Sequence, residues 1–168
     1  KVFFNEKSSS TQLDAKAGIE KGDPAPALYL APSQTAAKGR FSRQFFTPET
    51  GGIYMSIHLH PELPFKQLPS YTLMAATSVV KAISRLTGIE TDIKWVNDIY
   101  LHGKKVAGIL TEAVSSIETG LITDVIIGMG INFHVTDFPE ELQSKASSIF
   151  SEKPTITRNQ LISEIWNI

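Results

Sequence analysis

Cysteine is absent from this chain of 168 residues, which excludes a disulfide framework, a cysteine-ligated zinc site and a thiol nucleophile. An excess of one charge is missing as well. Lys and Arg total 16 against 17 for Asp and Glu, so no basic surplus advertises nucleic acid or an anionic membrane, and neither is expected as a partner. No apolar run approaches the roughly 20 residues of a membrane span, and Lys1-Val2-Phe3-Phe4-Asn5 turns polar too soon for a signal peptide. No Ser-His-acid signature is legible, so acyl transfer through a covalent enzyme intermediate is unsupported. The expectation is a soluble, cytoplasmic protein whose chemistry rests on other groups. What the chain does have, 42% hydrophobic residues over about one domain's length, is enough for a single core without a staple.

Hydrophobic spacing supplies the outline. Val2-Phe3-Phe4 reads as a strand, and the hydroxyls of Ser8-Ser9-Ser10-Thr11 can cap a helix running through Gln12–Lys21 to a stop at Gly22. Ala27–Ala31 is a second strand. Ile53, Met55, Ile57 and Leu59 alternate with more polar residues, the period of a half-buried strand. Helical spacing over Ser70–Leu86 ends at Gly88. Asp92–Trp95, Ile99–Leu101 and Val106–Glu112 read as strands, the last two joined by a tight turn at His102-Gly103-Lys104. Asp124–Phe133 is a long strand, followed by helical pieces at Glu140–Phe150 and from Arg158 onward. Strands that come in hairpins as well as beside helices predict an α+β fold with a mixed, largely antiparallel sheet packed with helices. The last helical pattern meets no stop signal before Ile168, as in a fragment of a longer protein.

Four stretches concentrate groups able to do chemistry, each with two readings. Lys38, Gly39, Arg40 and Arg43, followed by Phe45 and Phe46, can grip a phosphate or carboxylate under an aromatic surface, or form a solvated basic loop. Lys94-Trp95-Val96-Asn97-Asp98 can hold a cation, a phosphate or a ribose, or simply make an Asx turn. Lys105 either points into a pocket or guards a sheet edge. Gly128 and Gly130, alternate residues of one strand, either let a flat ligand lie on the backbone or mark a bulge. His58 and His60 share a strand face without a third ligand at metal spacing and read as surface residues, while Met55 and Met74 read as core.

In this order, Ser10-Thr11-Gln12, Gln34–Arg43, Gly52–Ser56, Lys94–Asp98, Lys105–Glu112 and Gly128–Asn132 closely resemble the catalytic domain of biotin protein ligases. The resemblance implies that family's fold, similar to the class II aminoacyl-tRNA synthetases. It also implies a two-step reaction in which biotin and MgATP give biotinyl-5′-AMP and pyrophosphate, and a lysine of a biotin carboxyl carrier protein then takes the biotinyl group. Position by position, it implies a biotin site of Ser10, Thr11, Gln12, Gln34, Lys38, Gly39, Arg40, Lys105, Gly108, Gly128 and Gly130. ATP would be met by Arg40, Arg43, Phe45, Asn97, Lys105 and Asn132, and the catalytic set would be Arg40, Lys94, Asp98 and Lys105. Asp98 would also assist Mg2+.

The match carries departures. Where the family has a Gly-Arg-Gly-Arg run, this chain has Ala37-Lys38-Gly39-Arg40; Ser42 replaces a further glycine, Phe45 a tryptophan and Val96 a proline. Lysine cannot reproduce a bidentate guanidinium fork, and lost glycines stiffen a loop. The resemblance covers 1–168 as one catalytic domain, with the family's small C-terminal β-barrel absent or truncated and no helix-turn-helix repressor module. A homodimer is compatible with it. The competing expectations are a lipoate or octanoate ligase-like enzyme, against which the polar Ser10-Thr11-Gln12 and Gln34 set speaks, and a biotin-binding module without turnover.

Overall fold

The computed structural model describes residues 1–39, 41 and 43–168. Its central strands are β3 (Gly52–Leu59), β6 (Lys104–Ser115) and β7 (Ile122–Asn132), with β7 antiparallel to both neighbours. Outward from β3 lie β2 (Ala27–Ala31) and β1 (Val2–Phe4), and outward from β6 lie β5 (Asp98–Leu101) and β4 (Asp92–Lys94). The sheet order is β1-β2-β3-β7-β6-β5-β4, and among the described strands only the β1–β2 pair is parallel, so the expected mixed, largely antiparallel sheet is what forms. No helix of the described residues is long and apolar enough to cross a membrane.

Helices cover both faces of the sheet, which is why β3 and β7 are buried almost throughout. Helix α2 (Leu68–Thr87) lays Ala76, Val79 and Ile83 against Met55, Ile127, Met129 and Ile131, and α4 (Arg158–Asn167) adds Leu161 and Ile165 to the same core. Pro69 is tolerated because it falls in the first turn, where its missing N–H has no partner to lose. On the opposite face α1 (Thr11–Glu20) packs Ala15 on Ala27, Tyr29 and Ile126. Alternation puts Ser56 of β3, Gly128 and Gly130 of β7, and Gly108 and Glu112 of β6 on this α1 side. The hairpin expected at His102-Gly103 is present, with φ of 49° and 77°, the left-handed pair that a two-residue turn needs.

The structure corrects four expectations. Ser10 is the N-cap of α1, yet its hydroxyl makes no capping bond; Gln34 Oε1 accepts from the Thr11 N–H instead, at 2.7 Å. Glu140–Phe150 is helical only over α3 (Glu140–Gln143). Beyond it Lys105 N–H bonds Lys145 O, Ser147 N–H bonds Lys105 O, and Ile149 N–H bonds Asn132 O, each at 2.8–2.9 Å, so extended backbone satisfies the edge beside β6 and β7. Met74 is 62% exposed, because α2 turns its neighbours Ala75 and Ala76 to the sheet. His58 is 2% exposed rather than a surface residue, with Nε2 2.7 Å from Asp124 Oδ1, a partner 66 residues away that satisfies one of its two buried ring nitrogens, Nδ1 having no partner among the described residues.

Candidate functional site

A cavity of about 290 Å³ opens between the start of α1, the described residues from Gln34 to Phe45 and the β5–β6–β7 surface. Its floor is glycine. Gly108 of β6 pairs with Gly130 of β7, and Gly128 pairs with Leu110. A Cβ on Gly128 would stand 2.6 Å from Gln12 Oε1, and one on Gly130 would stand 2.6 Å from the Phe45 ring. Both approaches need a position without a side chain. Phe45 therefore lies on the floor, over Gly108 and Gly130, with Lys105 Nζ 5.3 Å from its ring centroid.

One end of the cavity is a chain of polar groups. Gln34 Oε1 takes the Thr11 N–H, Thr11 Oγ1 lies 2.8 Å from Ser56 Oγ, and Ser56 Oγ donates to Gln12 Oε1 at 2.7 Å. Gln12 Nε2 in turn donates to Glu112 Oε2 at 2.8 Å, while Glu112 Oε1 pairs with Lys16 Nζ at 2.8 Å. Asp14 braces the segment before α1, accepting from Ser8 Oγ at 2.6 Å and Asn5 Nδ2 at 3.2 Å. The strand-to-helix connection that carries Ser10 and Thr11 is thereby tied to the helix it starts.

The other end is ionic. Lys105 Nζ stands 2.8 Å from Asp98 Oδ1, both side chains about a quarter exposed. The pair exists because β5 and β6 are adjacent strands of the 102–103 hairpin. Asn97 is held beside it: its O accepts from the Ile109 N–H at 2.8 Å and its Nδ2 donates to Ile109 O at 3.3 Å. Across the opening, Lys38 and Gln44 form a short antiparallel bridge, and Gly39 N–H bonds Arg43 O at 2.7 Å, so Lys38 and Arg43 share the rim.

Of the residues singled out from the sequence, Ser10, Thr11, Gln12, Gln34, Lys38, Gly39, Arg43, Phe45, Asn97, Asp98, Lys105, Gly108, Gly128 and Gly130 all line this one cavity. Arg40 lies outside the described residues. Lys94 does not line the cavity; it is exposed on β4, with Nζ 3.4 Å from the Tyr100 hydroxyl and 4.9 Å from its ring centroid. Asn132, on the same face of β7 as Gly128 and Gly130, is buried and does not line the cavity; its Nδ2 donates to Ser147 O at 3.1 Å. Asp98 is the only carboxylate lining the cavity among the described residues, and no group of three candidate metal ligands occurs among them. The sequence reading assigned no role to Ser56, Glu112 or Lys16. The signal for the first was a small hydroxyl between Met55 and Ile57 of a core strand, and for the second an acid two residues beyond Leu110 on the same face.

The profile of the Biotin/lipoate A/B protein ligase family matches residues 6–132. The chain is 42% identical over 150 residues to the bifunctional ligase/repressor BirA of Bacillus subtilis, covering 88% of this chain and 46% of that protein. It is 30% identical over 148 residues to the biotin--[acetyl-CoA-carboxylase] ligase of Mycobacterium tuberculosis, covering 85% and 52%. The chain thus spans about half the length of the curated relatives it matches. Its fold superimposes on the biotin protein ligase of Aquifex aeolicus, solved with biotin and ATP, with a TM-score of 0.80 at 28% identity, covering 99% of this chain and 67% of that one.

Proposed function

The chain belongs to the biotin/lipoate A/B protein ligase family, and from that premise we propose that it holds the catalytic centre of a biotin protein ligase. In the first step a carboxylate oxygen of biotin attacks the α-phosphorus of ATP, the bond to the bridging oxygen breaks, and pyrophosphate leaves. In the second, the amine of a carrier-protein lysine attacks the acyl carbon of biotinyl-5′-AMP. An amide forms, AMP departs with the C–O bonding electrons, and the amine proton goes to a base.

The observation that carries this reading is the polarity of the cavity, hydrogen-bonding at the Thr11–Gln12–Gln34 end and ionic at the Asp98–Lys105 end. A ureido ring with a carboxylate several bonds away needs that separation. Lys105 holds the biotin carboxylate against the α-phosphate, where two anions would otherwise repel. Arg43 and Lys38 on the rim, with Arg40 by position in the sequence, neutralise the remaining phosphates. Asp98 keeps Lys105 in place and is the base for the incoming amine. Asn97 and Asn132 brace the nucleotide side, Phe45 offers a ring to the adenine, and Lys94 on the exposed edge meets the carrier. The site fits magnesium only as part of MgATP, since Asp98 supplies one carboxylate and phosphate oxygens must supply most of the shell. When bound, the ion would add charge neutralisation at the phosphates.

The test is thermal stability with biotin, lipoate, MgATP and biotin plus MgATP, with pyrophosphate followed in the same samples. A ligand that binds the folded form raises the midpoint by mass action, so biotin plus MgATP should shift it most and should release pyrophosphate. A shift with lipoate in place of biotin overturns the substrate assignment, and a biotin shift without pyrophosphate overturns catalysis.

A further inference from the structure

Glu112 does not line the cavity, yet it decides which way the polar end of the cavity points. A carboxylate can only accept hydrogen bonds, so the end of the Gln12 amide facing Glu112 must be Nε2, and it lies 2.8 Å away. The amide oxygen is thereby turned to Ser56, whose single hydroxyl hydrogen goes to Gln12 Oε1 at 2.7 Å. Ser56 then has no hydrogen left for Thr11, so the 2.8 Å contact between them carries the Thr11 hydrogen in preference to the longer 3.3 Å approach of Thr11 Oγ1 to Gln34 Oε1, since two oxygens at 2.8 Å need a hydrogen between them. The order runs in one direction, from Thr11 to Ser56 to Gln12 to Glu112, and the ion pair with Lys16 anchors it. Thr11 Oγ1 and the second lone pair of Gln12 Oε1 remain as acceptors on the cavity wall. Gln34, its oxygen already taken by the Thr11 N–H, has its Nε2 hydrogens to offer.

We propose that Glu112, steadied by Lys16, is a positioning residue that fixes the Gln12 amide and so selects a ligand head group carrying N–H donors. The assignment rests on the biotin reading, in which a cyclic urea brings two N–H groups and one carbonyl. Glutamine at position 112 can accept or donate. It therefore no longer dictates the Gln12 orientation, and an N–H would meet another N–H for part of the time.

The experiment measures binding of biotin, ATP and the two cyclic carbamate analogues of biotin, each with one ureido N–H replaced by oxygen, to the protein and to its Glu112→Gln variant. Biotin should weaken by about tenfold, the scale of one hydrogen bond, with ATP affinity within about twofold and an unchanged midpoint of unfolding. The loss should vanish for the carbamate that lacks the N–H facing Gln12 and persist for the other. That non-additivity is the signature of a direct geometric role, since general loosening of the site costs every ligand alike. Equal losses across all ligands, or none for biotin, overturn the proposal. If Glu112→Gln lowers the midpoint, the titrations are made well below it, where a loss confined to biotin and the carbamate that keeps the N–H facing Gln12 supports the proposal and a uniform loss overturns it. Absence of biotin binding by the unaltered protein would instead refute the substrate reading, and is recognised because no substitution is involved.

Discussion

Gln34 Oε1 accepts the backbone N–H of Thr11 at 2.7 Å, so a side chain from the loop after β2 caps the first amide of α1. The same residue lines the cavity, and its two functions can be separated. Gln34→Ala removes both, and a lost cap should cost about 1 kcal/mol, or 2–4 °C in the unfolding midpoint for a chain of roughly this length. Gln34→Glu keeps an acceptor, and negative charge suits a helix N-terminus, while the donor is lost. Calorimetry should find its midpoint near that of the parent, and titration with biotin should find affinity reduced in both variants.

The Asp98–Lys105 pair, 2.8 Å apart, is expected to serve the two chemical steps unequally. Lys105→Met strands the Asp98 carboxylate and removes the cation that meets the reacting anions. Pyrophosphate release at saturating biotin and ATP should fall by roughly 10²–10³, the scale of removing one preorganised electrostatic contact. Asp98→Asn retains an oxygen for Lys105 to bond. With biotinyl-AMP supplied ready-made, its transfer to a carrier lysine should slow more than its formation does, and the opposite order would remove Asp98 from the role of base.

Local signals located most of this architecture. The left-handed pair at His102-Gly103, the alternation in β3 and the spacing of α2 each depend on residues within a few positions of one another, so the order along the chain suffices to read them. The site was legible as separate blocks, and the sheet explains their convergence: Gly108, Gly128 and Gly130 meet because β6 and β7 are neighbours. What stayed hidden depends on partners far apart in sequence. Ser56 and Gln12 are 44 residues apart, Lys16 and Glu112 are 96 apart, and neither residue of the latter pair has a local feature that names the other. His58 looked like an ordinary polar residue of an alternating strand until its acid, on β7, came into view. Lys145–Phe150 failed differently, because apolar Ile149 and Phe150 enter the core through extended backbone that pairs with Lys105, Asn132 and Phe133.

The glycine floor predicts a graded response to a single methyl group. Gly128→Ala brings Cβ within 2.6 Å of the Gln12 amide oxygen, which is fixed from both ends by Ser56 and Glu112 and has little room to retreat. Overpacking there should cost about 1–3 kcal/mol and disturb the polar chain directly, weakening biotin binding even in material that remains folded. Gly130→Ala meets the Phe45 ring at the same 2.6 Å. Phe45 comes from the loop rather than from the sheet, so its ring can swing aside. The second substitution should therefore lower stability less than the first, a comparison that parallel denaturant titrations decide.

Outside the cavity, Asp124 joins two imidazoles at the far end of β3, with His58 Nε2 at 2.7 Å and His60 Nδ1 at 3.0 Å from the same carboxylate oxygen. Burial pushes the Asp124 carboxyl up, but hydrogen bonds from His58, His60 and Thr123 outweigh it and hold the group below its ordinary range. The hydrogen bond to Asp124 and its charge raise His60 above the ordinary imidazole value. The signs give a window. Stability from the lowered Asp124 is complete above its unfolded value, about 4, and is lost as pH falls through the folded value; stability from the raised His60 is complete below its unfolded value, about 6.5, and is lost as pH rises through the folded value. Both describe one interaction, which should therefore be strongest between about pH 4 and 6.5. The His60 side chain is 52% exposed, so solvent screening keeps the effect small. His60→Asn should flatten the alkaline side of the midpoint-against-pH profile while leaving the acid side, where His58 still bonds Asp124, largely in place. An alkaline decline of the same size in the variant would assign that pH dependence to other groups.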